Sequence, residues 1–300
     1  MKYAPVILFA YMRVDHLRRV VESLQVNEEA KETELTIYCD AAKKVEHENA
    51  VEQVRQYVAS IGGFAKVNKV YRESNFGLAK SIITGVGEAL ERSDKVIVLE
   101  DDILVSKYFL KYMNDGLNLY SDNVNVASIH AYTYPVDVKL AETFFIKGAD
   151  CWGWATWCRA WSNFNPNGAQ LLSDLRSRKL TKAFDMDGAY PYVKMLENQI
   201  IGKNDSWAIR WHASCFLKNM LTLYPSKSMA INIGMDATGE HCSVTNAFST
   251  DLNANSIDLL KVDAVESAAA RLAFSNFFKM ERSINRRIFN KIKSVVSRGG

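Results

Sequence analysis

Four short strand-like runs, separated by stretches of helical period, fill the first hundred residues and restrict the fold more than any other feature of the chain. The runs are residues 5–10 (PVILFA), 35–39 (LTIYC), 67–71 (VNKVY) and 95–99 (KVIVL). The first and last are almost continuously apolar, as expected of strands covered on both faces. After the first, Leu17, Val20, Val21 and Leu24 recur at helical spacing, with Asp15 placed to cap the helix. Residues 45–61 read as a second helix ended by Gly62-Gly63, and residues 78–90 as a third. Repeats of this kind with short connections predict an α/β fold, a mostly parallel sheet flanked by helices. Ligands of such sheets bind beyond the carboxyl ends of the strands. Arg13, Asp40, Asn75 and Glu100-Asp101-Asp102 all fall at those ends.

The rest of the chain is less regular. Residues 124–130 and 143–147 read as strands, 180–201 and 207–220 as helices, and 221–224 and 229–233 as short strands. With no internal repeat or linker, residues 1–255 are expected to form one domain, in halves 1–122 and 123–255, followed by a tail from 256 to 300. The net charge of +3 gives no reason to expect nucleic acid, and its distribution is uneven. Nine of the 37 Lys/Arg but only three of the 34 Asp/Glu lie within residues 261–300. There Phe274, Phe277, Phe278, Ile284, Ile288, Ile292 and Val295 alternate with Arg282, Arg286, Arg287, Lys291 and Lys293. This pattern predicts a basic amphipathic helix, with an anionic membrane surface as its expected partner through residues 267–298 and docking on the preceding domain or on a second subunit as the alternative. Five scattered cysteines without CxxC spacing argue against a disulfide framework and for a reducing compartment. The N-terminus reads as a strand, not a signal peptide, and no apolar run approaches the ~20 residues of a membrane span. The expected location is cytoplasmic, peripheral on the inner face of the membrane.

Glu100-Asp101-Asp102 carries the sharpest chemical signal. Three adjacent carboxylates repel one another and call for a nearby positive charge. A hard cation, Mn²⁺ or Mg²⁺, suits oxygen ligands and bridges carboxylate to phosphate. The flanking apolar residues argue against an ordinary solvated turn. The segment CWGWATWCRAW sets Trp152, Trp154, Trp157 and Trp161 close together. Trp157 and Trp161 fit a helical core position, whereas Trp152 and Trp154 flank Gly153 and are candidates for stacking on sugar rings. Asp150 just before them is a candidate for sugar hydroxyls or a turn residue.

The segment VIVLEDDILVSKYFLKYM resembles the metal-binding strand-loop-helix of GT-A glycosyltransferases. It is most similar to the N-acetylglucosaminyltransferase I branch and to bacterial family 2-like enzymes of surface-polysaccharide synthesis. PVILFAYMRVDHLRRV, LTIYCDA and ESNFGLAKSIITGV follow the same order as in that family. The resemblance implies a Rossmann-like GT-A domain that transfers sugar from a nucleotide-sugar, UDP-linked in that branch, to a glycan or lipid-linked glycan. It further implies that Asp102 ligates the metal, Asp101 contacts the nucleoside and Glu100 the sugar. Asp40 would read the uracil edge, Arg13 would contact the nucleotide, and Lys80 would reach a phosphate. Asn75 stands where the relative has a His, which opens the question of base selectivity. Asp205, in KNDSWAIRW, matches a carboxylate of the family's WDDWMR motif and would be the general base of an inverting reaction. The helix-capping alternative for Asp205 stays open. His241, in GMDATGEHC, falls in a loop that in such enzymes closes over the donor and supplies a metal ligand. Two other readings remain. A sugar nucleotidyltransferase would carry a Gly-rich loop after the first strand, where FAYMRVDHL has no Gly. A non-catalytic carbohydrate-binding protein would need the tryptophans but not the acidic triplet.

Overall fold

The computed structural model describes residues 3–235 and 247–296, with side chains through residue 284. Its first half is a run of strands and helices: β1 (Val6–Ala10), α1 (Val14–Gln25), β2 (Glu34–Cys39), α2 (Glu48–Ser60), β3 (Lys66–Tyr71), α3 (Gly77–Leu90), β4 (Lys95–Glu100), β5 (Ile103–Val105) and α4 (Phe109–Leu119). The second half contains β6 (Val126–His130), β7 (Thr143–Lys147), β8 (Trp154–Trp157), α5 (Cys158–Trp161), α6 (Gly168–Ser177), α7 (Thr181–Phe184), α8 (Tyr192–Ile200), α9 (Trp207–Leu217), β9 (Leu221–Pro225), β10 (Ala230–Asn232) and α10 (Ala268–Val296).

Eight strands form one sheet in the order β3-β2-β1-β4-β8-β6-β9-β7, and β5 pairs with β10 in a separate antiparallel ribbon. The four expected strands are parallel neighbours. The chain moves outward from β1 to β3 and then returns across β1 to β4. Right-handed crossovers therefore put α1 and α2 on one face and α3 on the other. In accord with this, α1 packs on α2, while α3 packs on β1, β4 and α9. Between β1 and β4 the strand order reverses, and beyond the carboxyl ends of strands at such a point sheets of this kind bind their ligands.

β1 is buried along its whole length, and α1 buries the four apolar residues of its predicted face. Asp15 does not cap that helix. Arg13 occupies the N-cap position and makes no side-chain cap bond, so Asp15 sits in the first turn, where its charge suits the helix dipole. The span 180–201 is not one helix. Left-handed Met186, Asp187 and Gly188 break it into α7 and α8. Residues 154–157 of the tryptophan-rich segment form a strand, β8, antiparallel to both β4 and β6. β8 inserts between two parallel sets and makes the sheet mixed.

The tail helix exists, but its first three turns are not free for a membrane. Ala270, Phe274, Phe277 and Phe278 are buried against Phe144 and Ile146 of β7, Tyr224 of β9, Met186 and Ala189. Tyr134 lies edge-on to Phe274, with ring centroids 4.8 Å apart. Arg271 donates to Ala183 O at 3.0 Å, and Arg282 to Gly188 O at 2.8 Å. Three buried Phe rings contribute roughly 1.5–3 kcal/mol each, enough to hold this part of the helix on the domain. The expected membrane contact of residues 267–298 is thereby corrected for its aromatic half. Among the described residues no helix is long and apolar enough to cross a membrane.

Candidate functional site

An ion-pair cluster lies beyond the carboxyl ends of β1 and β4. Arg13, three residues past β1, places Nη2 between Asp101 Oδ1 and Asp102 Oδ2, the latter at 2.9 Å. The amide of Tyr11 donates to Asp101 Oδ2 at 3.3 Å. The positive charge that the triplet demands is therefore present in the protein itself. Both Asp side chains are buried, and the Arg13 side chain keeps only 17% of its surface exposed. Burial, with the charges of Asp102 and Asp101, pushes the Glu100 carboxyl up to about 8 against the pull of Arg13. Burial also raises Asp101, to about 6, although Arg13 acts in the opposite direction. Burial opposes the charge of the Arg13 guanidinium, but the two aspartates outweigh it and its affinity for its proton rises.

A second segment covers this cluster. The amide of Ile233 donates to the carbonyl of Asp102 at 2.9 Å, which carries the chain from β10 across the acidic turn. At Gly234 the approach is so close that a Cβ would lie 2.3 Å from Asp102 Oδ2 and 2.6 Å from Arg13 Nη1. Only glycine leaves that space open. His241 and Cys242 of the same loop lie outside the described residues.

Asp40 takes a position the sequence did not reveal. Its oxygens accept from the amides of Ala41 (2.9 Å), Phe76 (2.8 and 3.1 Å) and Gly77 (2.9 Å). Its carboxylate binds the end of β2 to the first turn of α3, at the amino end of that helix. Asn75 Nδ2 donates to Ala41 O at 2.7 Å and ties the same two segments together. Lys80 is exposed, with Nζ 3.9 Å from the centroid of the Phe76 ring.

The β7–β8 connection brings Asp150 and Trp152 to the other side of the cluster. Cys151, between them, feels the charges of Asp150, Glu100 and Asp102, and burial pushes its thiol up well above the usual range. Asp150 Oδ2 accepts from Tyr134 OH at 2.7 Å, and Oδ1 from the amide of Cys151 at 2.9 Å. Gly153 (φ +67°) then turns the chain into β8, with 3.1 Å between a hypothetical Cβ and that of Ala230. Trp152 is half-buried, its ring 4.7 Å from that of Tyr132. Trp154 is not a surface residue. It is 1% exposed and stacks on Trp207 at 5.3 Å, beside Trp161 and Trp211. Strand alternation sends neighbouring side chains to opposite faces, and this one faces the core.

Asp205 precedes α9, whose first residue, Trp207, stacks on Trp154, the partner of Val98 near the end of β4. The Asp205 side chain is 71% exposed, and Arg210 Nη2 lies 3.4 Å away. Ser206, not Asp205, caps the helix, accepting from the Ile209 amide at 3.2 Å. The sequence reading also missed His130. Its ring is completely buried, with neither nitrogen hydrogen-bonded among the described residues and Nε2 3.9 Å from Asp150 Oδ2. No local pattern marks a histidine that ends an apolar strand.

Oxygen donors of the triplet are of the right kind for a hard divalent cation. Asp101 has both oxygens engaged, whereas Asp102 Oδ1 accepts no hydrogen bond among the described residues. No group of three or more His, Cys, Asp or Glu is gathered around a common point among those residues. The set therefore fits a cation that shares one or two carboxylates with the phosphates of a ligand, not a closed protein cage.

No family model matches the chain, and no curated protein matches it. Among solved structures, it is similar to the mannosyltransferase PcManGT of Pyrobaculum calidifontis in complex with GDP-Man and Mn²⁺. The identity is 14%, the TM-score 0.34, and the match covers 44% of this chain and 36% of that one. It is also similar to TarS of S. aureus, with 18% identity, a TM-score of 0.33, and coverage of 50% and 25% respectively. The matches thus span only about a third and a quarter of those proteins, and likenesses this slight carry no argument about activity.

Proposed function

We propose that this chain is a glycosyltransferase of the GT-A kind, binding a nucleotide-sugar beyond the carboxyl ends of β1 and β4. The observation that carries this reading is the buried cluster of Arg13, Asp101 and Asp102 at the point where the strand order reverses. Nucleotide phosphates are recognised at such places by fixed charge and by backbone at helix starts. Asp102, with its open oxygen, would hold a divalent cation, which when bound offsets charge on the departing diphosphate. Arg13 would contact that diphosphate, Asp101 the nucleoside and Glu100 the transferred sugar. Asn75 and the Ala41 backbone would meet the base, with Asp40 holding both in place. Lys80 is left for a peripheral phosphate contact.

Trp152 and Asp150 would receive the acceptor sugar, the first by stacking and the second by hydrogen bonds. In an inverting reaction the acceptor oxygen attacks the anomeric carbon, the nucleoside diphosphate leaves, and Asp205 takes the acceptor's proton. Exposure of Asp205 in a free enzyme suits a base that an incoming acceptor covers. The setting we favour is synthesis of a bacterial surface polysaccharide or lipopolysaccharide, with a UDP-sugar as donor. Attachment to an anionic membrane would then involve the chain beyond the docked turns of α10, where residues 283–298 carry five Lys/Arg and no Asp/Glu.

Thermal stabilisation and slow hydrolysis by a panel of UDP- and GDP-sugars, with and without Mn²⁺, test the reading directly. One donor is expected to stabilise the protein only with metal, and Asp102→Asn to abolish the effect while leaving the fold intact. No response to any nucleotide-sugar would sink the proposal.

A further inference from the structure

We infer that Arg13 is a built-in counter-ion, which holds Asp101 and Asp102 against a divalent cation until an anionic ligand draws its charge away. The inference rests on the nucleotide-sugar reading and deepens it. Three observations converge on this residue. Nη2 bridges one oxygen of each aspartate, so the guanidinium and a cation compete for the charge of the same two carboxylates. Asp101 has its second oxygen bound to the Tyr11 amide, which leaves Asp102 Oδ1 as the one Asp oxygen of the pair without a hydrogen bond. Nη1 is buried with no acceptor among the described residues, beside Gly234, where a Cβ would lie 2.6 Å from it. A buried guanidinium nitrogen without a partner is costly, and a phosphate oxygen would satisfy it.

The electrostatics fix the direction of the coupling. Two positive charges sharing a pair of buried carboxylates repel strongly, because screening by water is weak there. A cation alone on Asp102 Oδ1 sets a second positive charge against Arg13 and gives the guanidinium no new partner. A diphosphate offers the guanidinium new oxygens and the cation new ligands at once. Cation and nucleotide therefore bind synergistically, each strengthening the other by the same factor. A merely structural salt bridge makes no such demand.

The test uses the full chain and Mn²⁺ itself as probe, with Arg13→Gln and Arg13→Lys compared to wild type. Mn²⁺ affinity is read by electron paramagnetic resonance, and stability by thermal melting. Wild type is expected to bind Mn²⁺ weakly alone and much more tightly with UDP or GDP. Arg13→Gln, which leaves the aspartates unpaired, is expected to melt several degrees lower in metal-free buffer. Mn²⁺ or Mg²⁺ alone should restore it, while KCl at equal ionic strength should not. Its affinity for Mn²⁺ without nucleotide should exceed that of wild type by about tenfold or more. Arg13→Lys keeps the charge but cannot fork two carboxylates, so it should fall between them, and it serves if the Gln variant does not fold. Equal Mn²⁺ affinity in wild type and variants, with no metal-specific recovery of melting, overturns the inference. Tighter metal binding in the variants with no nucleotide effect in any protein leaves the counter-ion standing and removes the glycosyltransferase reading.

Discussion

Replacing His130 by leucine should remove a specific acid sensitivity of the fold. The imidazole is completely buried between Tyr224 and Tyr132, and neither ring nitrogen has a hydrogen-bond partner among the described residues. Burial lowers its pKa from 6.5 to about 4, although the charge of Asp150 pulls the other way. The unfolded chain takes up a proton as pH falls through 6.5, and the folded chain does not until about 4. The unfolded state thus binds more protons in that window, and stability falls as pH falls through it. The gap corresponds to ~3 kcal/mol at the limit, and to about 2 kcal/mol by about pH 5. At neutral pH leucine is expected to cost less than ~1 kcal/mol, or to stabilise, because it replaces two unsatisfied polar atoms with apolar volume. Denaturant unfolding of both proteins at several pH values from about 7.5 to 4.5 measures the difference. Glu100 and Asp101, with raised pKa values, act in the opposite direction but contribute equally to both proteins. The variant should gain about 2 kcal/mol on wild type between about pH 7 and pH 5. Parallel pH profiles would refute the reasoning, because they would mean that His130 is already protonated or already hydrated in the native state.

Gly234→Ala forces a methyl group into the space between Asp102 and Arg13, and should cost about 1–3 kcal/mol in denaturant unfolding. Metal-dependent nucleotide binding by calorimetry should be lost with it. Trp152→Ala should leave melting nearly unchanged and raise the acceptor KM. Trp154→Ala should instead destabilise by about 3–5 kcal/mol, since that ring is packed among three other indoles. Phe274→Ala, in the docked face of α10, should cost a similar ~3–5 kcal/mol, and limited proteolysis should then cut within the helix.

Much of the fold was legible because the signals are local. A strand buried on both faces must be apolar along its buried length, and residues 6–10 and 96–99 are. A helix lying on a sheet must repeat its apolar residues at three and four positions, as Leu17 to Leu24 do. The same rules misjudged residues 154–157 and 180–201. A short aromatic run has no period long enough to distinguish strand from helix, and the turn signal of Asp187-Gly188 was outweighed by the apolar period on either side of it. Likewise the amphipathic tail could be read, but not its partner. An apolar stripe specifies only that something covers it, and for Phe274, Phe277 and Phe278 the cover is β7 and β9.

The acidic triplet and its place at a strand end were determined by the sequence alone, as was the need for a positive charge beside it. Only the tertiary structure decided the source of that charge. Arg13 lies 88 and 89 residues away from Asp101 and Asp102, and no periodicity links them until β1 and β4 become neighbours. Asp40 was legible as a carboxylate at a strand end, but its engagement by the amides of Phe76 and Gly77 depends on a helix that begins after the next strand. The reason is common to both. Secondary structure follows from interactions within a few residues, whereas a buried charge is satisfied by whatever partner the topology brings to it.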